Sequence, residues 1–286
     1  YSEHMMMDVR FNVLNEYVHK FIIVESLFSH SGEKKKLNFD INNYPKFKDK
    51  IIYLVIDKEA EGIISDKDES IQQSVKRQNS LKRVNQSYNY MLHGIEKASD
   101  DDLIILSDND EIPNLGSKEF KNSKKKLFIF KQLFFYYKFD LLYDLMPWFG
   151  SKACKKKFLI SFEWLRNIKN KKYPLWRLDT HFSKLKNINL EIINDGGWHF
   201  TNIKSPADLF LKMKNFGHHD EFDASGLTLD NISQKIKDKV VFYNHFLDQS
   251  NQDRWSYDYK LKKIDHKLLP NHLINNIDQY KEWFDS

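Results

Sequence analysis

Three short apolar runs constrain the architecture of this chain more than any other feature. FIIVE at 21–25, KDKIIYLVID at 48–57 and DLIILSD at 102–108 are β-rich and almost continuously hydrophobic. They lack the apolar–polar alternation of a strand with one wet face. Such runs read as strands of a parallel sheet covered on both sides, because flanking helices remove the solvent face that would select polar residues. Between the second and third runs, Ile71, Val75, Leu81, Val84, Tyr88, Met91, Leu92 and Ile95 form one stripe at helical spacing across 71–99. Residues 3–18 place Met6, Val9, Val13 and Tyr17 in a shorter stripe of the same period. Strand, crossover, strand, helix, strand is the order of an α/β fold. We therefore expect a Rossmann-type, mostly parallel sheet flanked by helices.

Length sets the domain count. At 286 residues, one large α/β domain accommodates the chain, since single cores stop growing at about 250–300 residues. The expected division is a first half, 1–113, and a second half, 114–286, that ends in helices. In that second half KKKLFIFKQLFFYYKFD, 124–140, predicts one or two aromatic strands, and PLWRL and LEIIND predict further short ones. Ser205 as cap and Pro206 at the first helical position predict a helix over 205–216. Aromatic residues make up 15% of the chain, and cores use such rings more often than carbohydrate sites do.

Composition excludes some classes. Forty-five Lys and Arg against 40 Asp and Glu leave a formal charge of +5 spread over a mixed surface, whereas nucleic acid demands a concentrated basic face. Lys triplets at 34–36, 124–126 and 155–157 read as solvated loops or edges. The single Cys154 allows no internal disulfide, which suits a reducing compartment such as the cytoplasm; the Golgi lumen is the alternative if an anchor was removed. No run reaches the roughly 20 apolar residues of a membrane span.

The third apolar run ends abruptly in acids: LIILSDNDEIP, 103–113. In parallel sheets ligands bind beyond the carboxyl ends of strands, where Asp108, Asp110 and Glu111 would lie. Asp108 and Asp110 are two apart, so in extended backbone their carboxylates share a face and can grip one hard divalent ion, Mn²⁺ or Mg²⁺, which also takes phosphate oxygens. A solvated Asx turn is the bland alternative. A haloacid-dehalogenase-type phosphatase also places Asp-x-Asp after a strand, but there the motif sits near the N-terminus and ends in Thr or Val, not Ile112-Pro113. A sugar-nucleotide transferase of the GT-A type places it after several Rossmann-like strands, as here.

An ordered set of segments makes the likeness specific. VHKFIIVESLFSHSGEKKKLNF, SDNDEIPNL, KQLFFYYKFD, MPWFGSK, EWLRN, YPLWRLD, GGWHFTNIKSPADLFLKMKNFGHHDEF and LLPNHLINNIDQYKEWF follow one another along nearly the whole chain. Together they resemble glycosyltransferase family 17. Members usually carry a strand upstream of YSEHMMMDVR, so the resemblance implies a chain that either begins just after the sheet's first strand or lost that strand in processing.

The resemblance implies a GT-A-like fold and an inverting enzyme that moves N-acetylglucosamine from UDP-N-acetylglucosamine onto a glycan hydroxyl with a divalent metal. In that reading Asp108 and Asp110 hold the metal, with Asp110 the direct ligand, and His199 of GGWHF is a third ligand or else an aromatic-stacked structural histidine. Glu111 orients the site. Asp195 or Glu221 is the base, with Glu163 a further candidate. Arg166 and Lys212 offset diphosphate charge, Gly196 and Gly197 permit close backbone approach, and Trp198, like Trp148, Trp164 and Trp176, stacks on a sugar or fills the core. Nothing implies a nucleic-acid partner. The competing function is a non-catalytic glycan- or nucleotide-binding module on the same fold, with the phosphatase third.

Overall fold

The computed structural model describes residues 2–64, 72–215, 222–223, 225–246, 255 and 258–285. Helix α1 (Ser2–Leu14) leads into β1 (Phe21–Ser26) and β2 (Ile51–Ile56), followed by α2 (Gln72–Gly94), β3 (Leu103–Leu106) and β4 (Glu111–Pro113). The short α3 (Lys118–Asn122) precedes β5 (Leu127–Phe130), β6 (Leu133–Tyr136), β7 (Leu141–Leu142) and β8 (Lys152–Lys155). Then come α4 (Phe162–Asn167), α5 (Asp179–Phe182), β9 (Leu190–Ile193), β10 (Gly197–Thr201) and α6 (Pro206–Asn215). The last elements are α7 (Leu229–Lys237), β11 (Val240–Val241), β12 (Tyr259–Lys260), β13 (Lys262–Lys263) and α8 (Asn271–Asn275).

The class is α/β, as the strand–helix order predicts, but the sheets are mixed rather than mostly parallel. β1 and β2 pair in parallel, Phe21 opposite Ile51. β3 does not extend that pair among the described residues; it runs antiparallel to β8 in a four-stranded sheet of order β3-β8-β5-β9. A five-stranded sheet of order β13-β7-β6-β10-β4 joins parallel β6–β10 to antiparallel neighbours on either side. The apolar runs announced burial, and burial came from three packed clusters rather than from one continuous parallel sheet. α2 covers the β1–β2 pair and also packs against α4.

One cluster draws Met6, Phe11 and Leu14 of α1 together with Phe130, Phe200 and the C-terminal Tyr280 and Phe284. A second packs β6, β7, α6 and α7 around Tyr137, Tyr143 and Phe222, and a third fills the space between α2, α4 and β3-β8-β5. The aromatic excess is mostly core: Phe11, Phe130, Phe134, Phe135, Phe139, Phe200 and Phe222 are all below 2% exposed.

Two local expectations need correction. PLWRL is not a strand: Arg177 N donates to Pro174 O at 3.1 Å and Thr180 N to Arg177 O at 3.2 Å, turns that leave no extended run for a neighbour to pair with. In α2 the stripe is incomplete. Val75 and Ile95 are buried, Leu81 and Leu92 are exposed, and Ile71 lies outside the described residues. The helix buries a polar anchor instead, Asn79, which accepts from Ile64 N at 2.9 Å and donates to Ile64 O at 2.8 Å. The Ser205 cap is as expected, its Oγ accepting from Asp208 N at 3.1 Å.

Candidate functional site

β3 ends at Leu106 and β4 begins at Glu111, so residues 107–110 must cross from the four-stranded to the five-stranded sheet. The crossing is a tight turn: Glu111 N donates to Asp108 O at 3.1 Å. It is held from several directions. Phe200 N of β10 donates to Asp110 O at 2.8 Å, and Ser107 Oγ donates to Ser151 Oγ at 2.7 Å. From α1, the half-buried Arg10 donates through one guanidinium nitrogen to both Asp108 O, at 3.2 Å, and Glu111 O.

The acids have separate fates. Asp108 takes a two-pronged ion pair from Arg166 of α4, at 2.8 and 3.1 Å. Asp110 makes no side-chain hydrogen bond or ion pair among the described residues. Glu111 is 1% exposed; its Oε1 accepts from Trp148 Nε1 at 2.7 Å and its Oε2 from Asp108 N at 3.1 Å. An Asx turn would spend the aspartate carboxylates on backbone N–H groups. Here the buried glutamate caps the turn, and Asp110 keeps its oxygens for something else.

His199 of β10 stands opposite Glu111 of β4 in the antiparallel register, so their side chains share a face. Its ring lies tilted on Trp148 at 4.5 Å and edge-on to Phe134 at 4.9 Å. The aromatic-stacked description is thus correct, yet incomplete. His199 Nδ1 is buried, 3.9 Å from Glu111 Oε1, without a hydrogen-bond partner among the described residues. An orphaned buried nitrogen costs about 1–3 kcal/mol, so it calls for a partner.

Electrostatics follow from the burial. Desolvation raises the Glu111 carboxyl to about 8, helped by the charges of Asp108 and Asp110 and opposed by the Trp148 hydrogen bond. Desolvation lowers His199, against the pull of Asp110 and Asp108, and so favours the neutral imidazole that can ligate a metal. Burial likewise lowers Lys152 to about 8; its Nζ donates to Arg166 O and, at 2.7 Å, to Ile168 O. Lys152 thereby ties down the end of α4, which carries Arg166.

The donor set suits a hard divalent ion: two carboxylates on one turn, one of them without a side-chain partner among the described residues, and a neutral imidazole nitrogen facing the same corner. Among the described residues no three His, Cys, Asp or Glu side chains already close around one point. A metal there would draw its remaining ligands from water or a bound oxyanion.

Other predicted site residues lie elsewhere. Asp195 accepts from Asn114 Nδ2 at 2.9 Å and shares with Trp198 a cavity of about 490 Å³. Trp198 follows strand alternation onto the face of β10 away from His199, and its Nε1 donates to Leu268 O at 2.6 Å. Gly197 does permit close approach, at φ +104°, but to the chain itself: a Cβ there would sit 2.2 Å from Ile112 O. Gly196 is pressed in the same way against the Lys131 backbone. Lys212 donates to Asn202 Oδ1 at 2.9 Å. Glu221 lies outside the described residues.

Arg10 and Gly150 were missed. A Cβ on Gly150 would fall 2.0 Å from Glu111 Oε1 and 2.4 Å from Trp148 Nε1. Gly150→Ala should therefore dislodge the buried carboxylate and lower stability by about 1–3 kcal/mol, as overpacking does, measured by urea unfolding at pH 7; a neutral effect would show that Glu111 is not held as described.

Residues 1–154 match the profile described as Glycosyltransferase family 17, more than half of the 286-residue chain. The chain belongs to glycosyltransferase family 17. No curated protein and no solved structure matches it. The family's chemistry is glycosyl transfer, which requires a sugar donor and an acceptor. Within this family 17 chain the matched span runs from α1 through most of β8, so it contains Arg10, the 108–111 turn, Trp148 and Gly150. Arg166 and His199 lie beyond it. The fold brings them to the turn.

Proposed function

We propose that the chain is an inverting, metal-dependent glycosyltransferase of the GT-A type that moves N-acetylglucosamine from UDP-N-acetylglucosamine to a glycan hydroxyl. Asp110 carries the reading. It stands at a strand end beside Glu111 and His199, with a carboxylate that the described protein leaves unspent. Asp108, Asp110 and His199 are the proposed holders of Mn²⁺ or Mg²⁺, which when bound neutralises the departing diphosphate. Arg166 adds a cation at the same corner, where it now balances Asp108.

Glu111 orients rather than abstracts. Both its oxygens accept hydrogen bonds inside a closed pocket, so neither can reach an acceptor hydroxyl. Asp195 lines, with Trp198, the cavity turned away from His199, which disfavours it as the base. The proposed base is Glu221, on the grounds of its sequence segment alone. Inversion requires that base to stand across the anomeric carbon from the leaving group.

Thermal unfolding with UDP, UDP-N-acetylglucosamine and UDP-glucose, each with and without Mn²⁺, tests the reading. A ligand held at 100 times its Kd stabilises the native state by about 2.7 kcal/mol. Stabilisation by uridine nucleotides only when Mn²⁺ is present is the expected result. No shift with any nucleotide in the presence of metal would overturn it.

A further inference from the structure

The four most exposed large apolar side chains among the described residues fall within eight consecutive positions. Leu175, Trp176, Leu178 and Phe182 are 79%, 80%, 74% and 89% exposed. Single exposed hydrophobics are ordinary, but four of this size in one short stretch mark an interaction surface. The stretch is tied at its base. Lys169 N donates to Leu185 O at 3.0 Å, and Trp164 Nε1 of α4 donates to Lys184 O at 2.7 Å. Fixed ends thus display an apolar tip.

Charge identifies the partner. Residues 168–186 contain Lys169, Lys171, Lys172, Arg177, Lys184 and Lys186 against one acid, Asp179. Six cations against one acid give this short stretch an excess equal to the whole chain's formal +5. Asp179 is already shared by Arg177 at 2.7 Å and Lys186 at 2.5 Å, and Lys172 pairs with Glu191. Lys169, Lys171 and Lys184 are exposed and make no ion pair among the described residues.

We propose that this segment docks the protein on an anionic lipid surface, with Trp176, Phe182, Leu175 and Leu178 entering the headgroup–acyl boundary and Lys169, Lys171 and Lys184 meeting lipid phosphates. An anionic bilayer is the partner that offers continuous negative charge with an apolar layer just beneath it. Both halves of the segment are then matched. The attachment is peripheral, since no helix among the described residues is long and apolar enough to cross a membrane. The segment continues directly from α4, whose Arg166 grips Asp108. Docking stands apart from the choice of donor or metal.

Co-sedimentation of the full chain with phosphatidylcholine vesicles, with and without about one-third phosphatidylglycerol, tests the proposal. Binding to the anionic vesicles alone, released by salt, is expected. Trp176→Ala with Phe182→Ala should weaken partitioning at least tenfold, and Lys169→Ala, Lys171→Ala and Lys184→Ala roughly fivefold each. All these side chains are exposed, so the variants should keep the parent's thermal midpoint, which separates lost docking from lost folding. Absence of binding to anionic vesicles, equal binding to neutral ones, or binding unmoved by the aromatic double variant overturns the proposal. So does a dimer in sedimentation velocity that the double variant dissolves, which would give the patch to a second copy.

Discussion

Asp110→Asn should abolish the Mn²⁺-dependent stabilisation by uridine nucleotides and lower transfer by roughly 10²–10³, the usual loss when one stabilising group is removed from a transition-state site. The substitution keeps shape and removes charge. It disturbs no hydrogen bond that the side chain makes among the described residues, and the backbone bond from Phe200 N to Asp110 O is untouched. Without metal, the variant should be as stable as the parent or slightly more so, because Asp110 repels an ionised Glu111. The neighbouring Asp108→Asn is the informative contrast. It breaks the pair with Arg166, whose two side chains are 42% and 46% exposed, so metal-free stability should change by only about 0–1 kcal/mol. Differential scanning fluorimetry with and without Mn²⁺ and UDP reads both variants. A full nucleotide shift retained by Asp110→Asn would remove that residue from the metal site and leave the family's chemistry to be located elsewhere.

How far the site could be read in advance depended on how far apart its parts are in sequence. The acids of the turn were legible because a buried strand cannot end in Asp108, Asp110 and Glu111 without a reason. The stretches FIIVE and KIIYLVI, and the cap at Ser205, were legible because burial period and capping chemistry are local. Sheet partners were not. Whether β3 pairs with β2 or with β8 is decided by long-range packing, and its four residues carry no mark of direction. Nearness in sequence did not carry over into space: Asp195, read as a candidate base, and Gly197 and Trp198, read with the donor, precede His199 closely, whereas strand alternation sends Trp198 to the opposite face. Conversely, Arg10 reaches Asp108 and Glu111 across 98 and 101 residues, a distance over which no spacing rule operates. Gly150 looks like any turn glycine until the carboxylate packed against its Cα is seen.

Removing the charge of Glu111 should change how stability depends on pH, and the sign follows from where its proton sits. In the metal-free protein burial raises this carboxyl from 4.5 to about 8. Between those values the folded state holds a proton that the unfolded chain has released, so this group's contribution to stability falls as pH rises through the window, by up to about 1.4 kcal/mol per pH unit. At about 2 °C per kcal/mol for a chain of this size, the midpoint contribution should drop several degrees between pH 5 and 8. Buried His199 acts oppositely at the acid end, since its lowered value makes the folded state bind fewer protons there. The quantity to measure is therefore the difference between the parent and Glu111→Gln across that range. Glutamine stays neutral and can accept from Trp148 Nε1, while its amide faces the Asp108 N–H that the carboxylate now satisfies, so at pH 5 the variant should be weaker by about 1 kcal/mol. Its profile should be the flatter of the two, and above about pH 6, where the parent's loss exceeds that deficit, it should overtake the parent. Mn²⁺ should erase that advantage in the parent by favouring the ionised carboxylate beside Asp108 and Asp110, with proton release on binding. Parallel profiles for the two proteins would show that Glu111 is ionised in its pocket without metal, and that Arg10 and Arg166 already balance the turn.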